Sequence, residues 1–144
     1  MIKILSIFII SIGLLSLNEP NETVNWVTLE QAQENNKTNP KAIFIDFSAE
    51  WCGWCKVMDK NTFSDASVAT YMNENFYSVR LDYDSKEQIE FFGEKYTPRQ
   101  LGEKYKVPGL PTILLVAPDN KKSKTLVGYK KPDPFLAKLK SFSF

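Results

Sequence analysis

Near-continuous apolar runs mark out the first strands of the chain. AIFIDF at 42–47 and TILLV at 112–116 have almost no polar break, the pattern of strands covered on both faces. FYSVRLDYD at 76–84 reads as a further strand, and KTLVGY at 124–129 as a fourth, behind an APDNKK turn. Helical signals fall between these runs. Thr28 with Gln31 three residues on forms a capping box and predicts a helix over 29–36, which Asn39-Pro40 ends. A helix is expected to start around Cys52 and Cys55 and to run through Val57 and Met58. Ser64-Asp65 caps another, ASVATYMNEN. SKEQIEF is expected to hold a helical turn, with a loop at Gly93. Thr97-Pro98 supplies an N-cap and a first-turn proline for RQLGEKY. Pro132, Asp133 and Pro134 introduce a closing helix, FLAKLKSF, apolar at 135, 136, 139 and 142. Helices and strands alternate, two strands meet across a turn, and a helix follows. That order predicts one α/β domain, a central mixed sheet flanked by helices.

The chain start has a different pattern. Behind Lys3, ILSIFIISIGLLSL at 4–17 is fourteen residues without a charge, and it ends at polar NEPNE. A bilayer span needs about 20 such residues, whereas a secretory signal needs about 7–15 after a positive start. Residues 1–17 are therefore expected to be a signal segment, 18–24 a linker and 25–144 the folded domain. No A-x-A site is present, so the cut is not fixed, and an uncleaved anchor is the alternative. No cysteine lies nearby to carry a lipid.

Without residues 1–17 the chain carries 17 basic and 17 acidic side chains. That balance gives no electrostatic reason to expect nucleic acid or an anionic membrane. Histidine is absent, so no His-based triad, Cys–His nucleophile or His-containing zinc site can be built from this chain.

The two cysteines, in EWCGWCK, are the remaining source of chemistry. A structural disulfide closing two intervening residues constrains almost nothing, because stabilisation grows with loop length. Zinc needs about four ligands, and two thiols do not supply them. Two thiolates holding Cu(I) would want a further ligand, and Met58 is the only methionine nearby. Reversible redox chemistry fits better. A strand ending near Ala49 and a helix starting at the pair put Cys52 at a helix N-terminus, where N–H groups and the dipole favour a thiolate. Cys52 is then the nucleophile. Cys55, one turn on and expected to be more buried, is the resolving thiol.

IDFSAEWCGWCK, with an Asp six residues before the first Cys, resembles the thioredoxin family, and VPGLPT resembles the loop carrying that family's cis-proline. TFSDASVATYM is similar to the C-terminal reductase domain of the thiol:disulfide interchange protein DsbD. FFGEKYTPRQLGEKYKVPGLPT is similar to SoxW-like periplasmic thioredoxins. The resemblance covers roughly residues 25–142 and implies a thioredoxin fold. It implies a proton-relay role for Asp46, a buried carboxylate with a raised pKa serving Cys55; the plain alternative is a bridge at a strand end. It places Arg80 near that acid and a cis bond before Pro111. Leu110 would offer backbone groups to an extended substrate strand. Trp51, Gly53 and Trp54 would form a docking platform around the nucleophile, with Trp51 equally suited to the core, and Lys56 is a secondary candidate.

The implied activity is an exported, periplasmic or secreted, thiol–disulfide oxidoreductase. It would need no cofactor beyond the cysteine pair and act as a monomer on disulfide-containing exported proteins. A membrane-embedded donor would re-reduce it. Thioredoxin has Pro at the Trp54 position and the disulfide isomerases have His. The departure leaves oxidase or isomerase action open, while the missing imidazole and the reductase-domain similarity favour reduction.

Overall fold

The computed structural model describes residues 22–142; the predicted signal segment lies outside them. In chain order the elements are β1 (Trp26–Val27), α1 (Leu29–Thr38), β2 (Ala42–Ser48), α2 (Gly53–Met58), a π-helical turn (Asp59–Phe63), α3 (Ala66–Asn75), β3 (Phe76–Asp82), β4 (Ile89–Phe91), β5 (Glu94–Tyr96), α4 (Pro98–Lys104), β6 (Thr112–Val116), β7 (Ser123–Val127) and α5 (Pro132–Lys140). Five strands make one sheet in the order β1-β3-β2-β6-β7. β2 lies in the middle, parallel to β3 from Ala42↔Phe76 to Ser48↔Asp82 and antiparallel to β6. Being covered on both faces, it buries six of its seven residues, which accounts for its unbroken apolar pattern.

Alternation along β2 sends Phe44 and Asp46 to one face and Ile43, Ile45 and Phe47 to the other. On the first face Phe44 meets Met58, Phe63, Met72, Phe135 and Leu139, from α2, the π-helical turn, α3 and α5. Phe44 is in edge-to-face contact with Trp26, Phe63, Phe76 and Phe135. On the second face α1, α4 and the β4–β5 hairpin contribute Leu29, Leu101 and Phe91. The capping boxes at Thr28–Gln31 and Thr97–Gln100 both form, and Asp65 caps α3. Among the described residues no helix is long and apolar enough to cross a membrane.

The segment read as a helical turn and loop is instead the β4–β5 hairpin, paired Ile89↔Tyr96 to Phe91↔Glu94. Its two turn residues, Phe92 (φ 48°) and Gly93 (φ 85°), are both left-handed, as a tight hairpin of this kind requires. Gln33 of α1 holds it, donating to the Glu90 carbonyl (2.9 Å) and accepting from the Phe92 N–H (2.7 Å). Three boundaries also move. β3 stops at Asp82, whose Oδ1 accepts the Asp84 N–H in a side-chain-closed turn. β7 stops at Val127 because Gly128 turns left-handed (φ 79°). α5 begins at Pro132 and ends at Lys140, leaving Phe142 beyond it. β1 is a two-residue strand that the sequence pattern did not reveal, parallel to β3. Ahead of it Val24 is buried, and Asn73 holds Glu22 and Thr23.

Candidate active site

β2 and β3 run parallel, so both deliver their C-terminal ends to one edge of the sheet, the usual address for chemistry in α/β folds. There the Cys52 N–H donates to the Ala49 carbonyl (3.0 Å), closing a turn before α2. Cys52 is the N-cap of α2: its backbone is extended, and its Sγ accepts the Cys55 N–H at 3.2 Å. The two cysteines form a disulfide with their Cα atoms 5.3 Å apart. Cys55 is not the more buried of the two; Cys52 is 4% and Cys55 5% exposed. With the bridge closed, Leu110 packs on Ala49 and the cysteine pair.

Leu110 belongs to the loop before β6, and the Leu110–Pro111 peptide bond is cis. Thr112 Oγ1 donates to the Gly109 carbonyl (2.7 Å), and the Gly128 N–H donates to the Pro111 carbonyl (2.8 Å). Among the described residues the N–H and C=O of Leu110 have no partner in the chain, so an extended strand passing over the disulfide could pair with them.

Two tryptophans flank the pair. Trp51 is 68% and Trp54 61% exposed, which removes the core reading of Trp51. Neither ring is loose. Trp51 Nε1 donates to Asp84 Oδ2 at 2.6 Å, and Asp84 also pairs with Arg99. Trp54 stacks on Tyr129, centroids 5.4 Å apart and planes 26° apart. Gly53 is open to solvent, and Lys56 extends to Glu50 at 3.0 Å.

Asp46 lies on the sheet face that carries α2 and the π-helical turn. It is 2% exposed, and Arg80 Nε donates to its Oδ2 at 2.9 Å. Oδ1 makes no hydrogen bond. Burial pushes the carboxyl up to about 6 from its ordinary 3.8, and Asp59 adds to the rise; the charge and hydrogen bond of Arg80 pull the other way and are outweighed. Arg80 itself is shared. Its other arm bonds Asp59, and its guanidinium lies 4.1 Å from the centroid of the Trp26 ring.

The structure thus gathers Cys52, Gly53, Trp54, Cys55, Leu110, Pro111 and Trp51 at one surface, with Lys56 at its rim and Asp46 and Arg80 behind it. Sequence reasoning missed Asp59, Asp84 and Tyr129. Asp59 sits four residues after Cys55, a spacing that a helix reading could have used. Tyr129 is far away in sequence, and nothing in its neighbourhood announces the stack. A cavity of about 1170 Å³ lies elsewhere, along α1, the β3 edge and the hairpin, and neither cysteine lines it. The disulfide is buried beneath Leu110, with exposed Trp51 and Trp54 flanking it.

A capping cysteine bridged to a second one turn on, under a cis-proline loop, defines a thiol–disulfide exchange site. The description "Thioredoxin-like domain" matches residues 29–143, and the chain belongs to that family. It is 36% identical over 91 residues to the thiol:disulfide interchange protein DsbD of Photorhabdus laumondii, covering 62% of this chain and 14% of that protein. The chain therefore spans about one seventh of that relative's length. The C-terminal domain of Neisseria meningitidis DsbD in its oxidised form superposes with a TM-score of 0.59 at 25% identity, over 77% of this chain and 89% of that one. A solved DsbH oxidoreductase shares the fold, with a TM-score of 0.68 at 21% identity over 88% of this chain and 90% of that one.

Proposed function

We propose that the protein is an exported protein-disulfide reductase. The observation that carries this reading is the Cys52–Cys55 disulfide at the start of α2, beneath the unpaired backbone of Leu110. In the reduced protein the Cys52 thiolate attacks one sulfur of a substrate disulfide, displacing the other as a thiolate. A mixed disulfide joins Cys52 to the substrate. Cys55 loses its proton, with Asp46 as acceptor, and attacks Cys52 Sγ. The second substrate thiolate leaves, and the Cys52–Cys55 bridge seen here closes. Two electrons have passed to the substrate.

Asp46 suits the relay because a carboxyl titrating at about 6 exchanges protons near neutral pH, and its unbonded Oδ1 is free to take one. Direction is argued from the site and its relatives together. No imidazole stands between the cysteines to favour an oxidising pair, and the relatives include the thiol:disulfide interchange protein DsbD, whose C-terminal domain the sequence resemblance reads as a reductase. Reduction outside the cytoplasm needs an electron source, so a membrane-embedded dithiol donor is part of the proposal, as are export through residues 1–17 and action as a monomer. Oxidase or isomerase action on the same fold is the competing outcome.

The mechanism is tested by insulin reduction with dithiothreitol. Cys52→Ser abolishes catalysis, while Cys55→Ser accumulates the mixed disulfide, visible as a dithiothreitol-sensitive adduct. Full catalysis by Cys52→Ser would exclude this mechanism.

A further inference from the structure

The charges of the chain balance in total and separate in space. Residues 120–144 hold seven lysines and a single acid, Asp133, whereas residues 18–119 hold sixteen acids against ten bases. The fold turns this bias into a face. β7 is an edge strand of the sheet, and it leads through Gly128 into Tyr129, Lys130, Lys131 and then α5. Lys124 of β7 and Lys138 of α5 approach one ring, with Nζ atoms 5.0 and 5.7 Å from the Phe142 centroid. Lys131, the α5 N-cap, is seven residues before Lys138, two turns back on the same side. Lys130 is fixed between them and the site: its Nζ donates to the Val127 carbonyl (2.9 Å) and its own carbonyl accepts from Thr62.

Among the described residues none of Lys124, Lys130, Lys131 and Lys138 lies within ion-pair distance of a carboxylate, in contrast to Lys56, Lys104 and Arg99 elsewhere. Lysines on an edge strand commonly guard it against pairing with another chain. Only Lys124 is placed for that task; the other three stand on the connection and the helix. The opposite lip of the site, around Trp51, carries Glu50, Asp82 and Asp84, but Glu50 is paired with Lys56 and Asp84 with Arg99, so its charges are largely balanced. The basic stripe begins at Lys130 and Lys131, beside the Trp54–Tyr129 stack, and runs away from the disulfide along β7 and α5 to Lys124, paired with Leu115, and Lys138, both near Phe142 at the other end of the sheet.

We infer that the stripe formed by Lys130, Lys131, Lys124 and Lys138 is a docking surface for an acidic segment of the disulfide-bearing polypeptide, which it holds along β7 and α5, leading away from the Trp54–Tyr129 stack. This rests on the exchange chemistry proposed above and adds to it the charge of the partner. Opposite charge raises the encounter rate and excludes basic partners, and its effect is screened by salt.

The test uses three peptide disulfides with identical residues next to cysteine and Glu, Gln or Lys further along, together with hydroxyethyl disulfide, which is uncharged. The second-order rate of oxidation of the reduced protein is followed for each. At low ionic strength the Glu peptide is expected to react about tenfold faster than the Lys peptide. The ratio should fall towards one at about 1 M salt, where the Debye length is about 3 Å. A Lys124→Glu/Lys131→Glu/Lys138→Glu variant should invert the order. Equal rates for the three peptides in the wild type would overturn the inference. So would a Glu preference that survives in the variant, or binding to phosphatidylglycerol vesicles without any peptide preference. Failure to oxidise with hydroxyethyl disulfide would strike the exchange chemistry itself, which separates the two.

Discussion

Asp46 combines two properties that conflict in a purely structural residue: it is buried almost completely, and its ion pair with Arg80 does not bring its pKa back to the ordinary carboxylate range. Its folded pKa lies above the unfolded value, so folding favours the protonated form. The stability it contributes is complete below about pH 4 and is lost as pH rises through about 6. Asp46→Asn should therefore raise unfolding stability at pH 8 by about 3 kcal/mol, with the gain vanishing near pH 4. Urea titrations across that range check the sign. A gain independent of pH would place the effect outside this titration. The same substitution should slow resolution of the mixed disulfide near neutral pH. A group kept against its cost to stability is the expected mark of a functional site.

Asp46 stood out because an acid interrupts an apolar strand, and the resemblance, through its six-residue spacing from Cys52, attached a proton-relay role to it beside the plain alternative of a bridge at a strand end. Tyr129 and Asp84 were not legible, since their roles arise only when loops distant in sequence meet at the strand ends.

Among the elements, α4 shows how a local rule yields to packing. Glycine inside a helix costs about 1 kcal/mol relative to alanine, yet Gly102 sits within it. A Cβ there would stand 2.6 Å from Tyr83 Cε2, and that ring is wedged between Phe47 and the Arg99 guanidinium. Gly102→Ala should destabilise the protein by about 1–2 kcal/mol despite better helix propensity. Thermal or urea unfolding checks the sign; stabilisation would mean that the ring yields freely.

The β4–β5 hairpin makes the complementary case. Its strands are three residues long, too short to show a period, and its first turn residue is Phe92 where Asn, Asp or Gly is usual. Nothing local announced it. Gln33 and the burial of Phe91 supply what the turn chemistry lacks. Gln33→Ala should cost about 1 kcal/mol and speed hydrogen exchange at the Phe92 amide, while the Cys52–Cys55 chemistry is retained. Helices with capping boxes and the buried strands were readable for the opposite reason: each carried its own start signal or its own unbroken apolar run.

Across the whole molecule, a sheet with its central strand ending near the cysteines brings Cys52, Cys55 and the Leu110–Pro111 loop together at one end of the sheet, where the proposed reduction would take place. Net charge near zero concealed a basic stripe along β7 and α5, since composition sums what the fold separates. The fold leaves the direction of electron flow to the residues around the cysteines, and here Trp54, stacked on Tyr129, occupies the position between them that tunes the pair.

The equilibrium of the Cys52–Cys55 pair against a glutathione redox series tests the proposed reductase most directly. A reductase is expected to have a potential near that of thioredoxin, roughly −270 mV. A value near −120 mV would contradict it and assign the protein to disulfide formation.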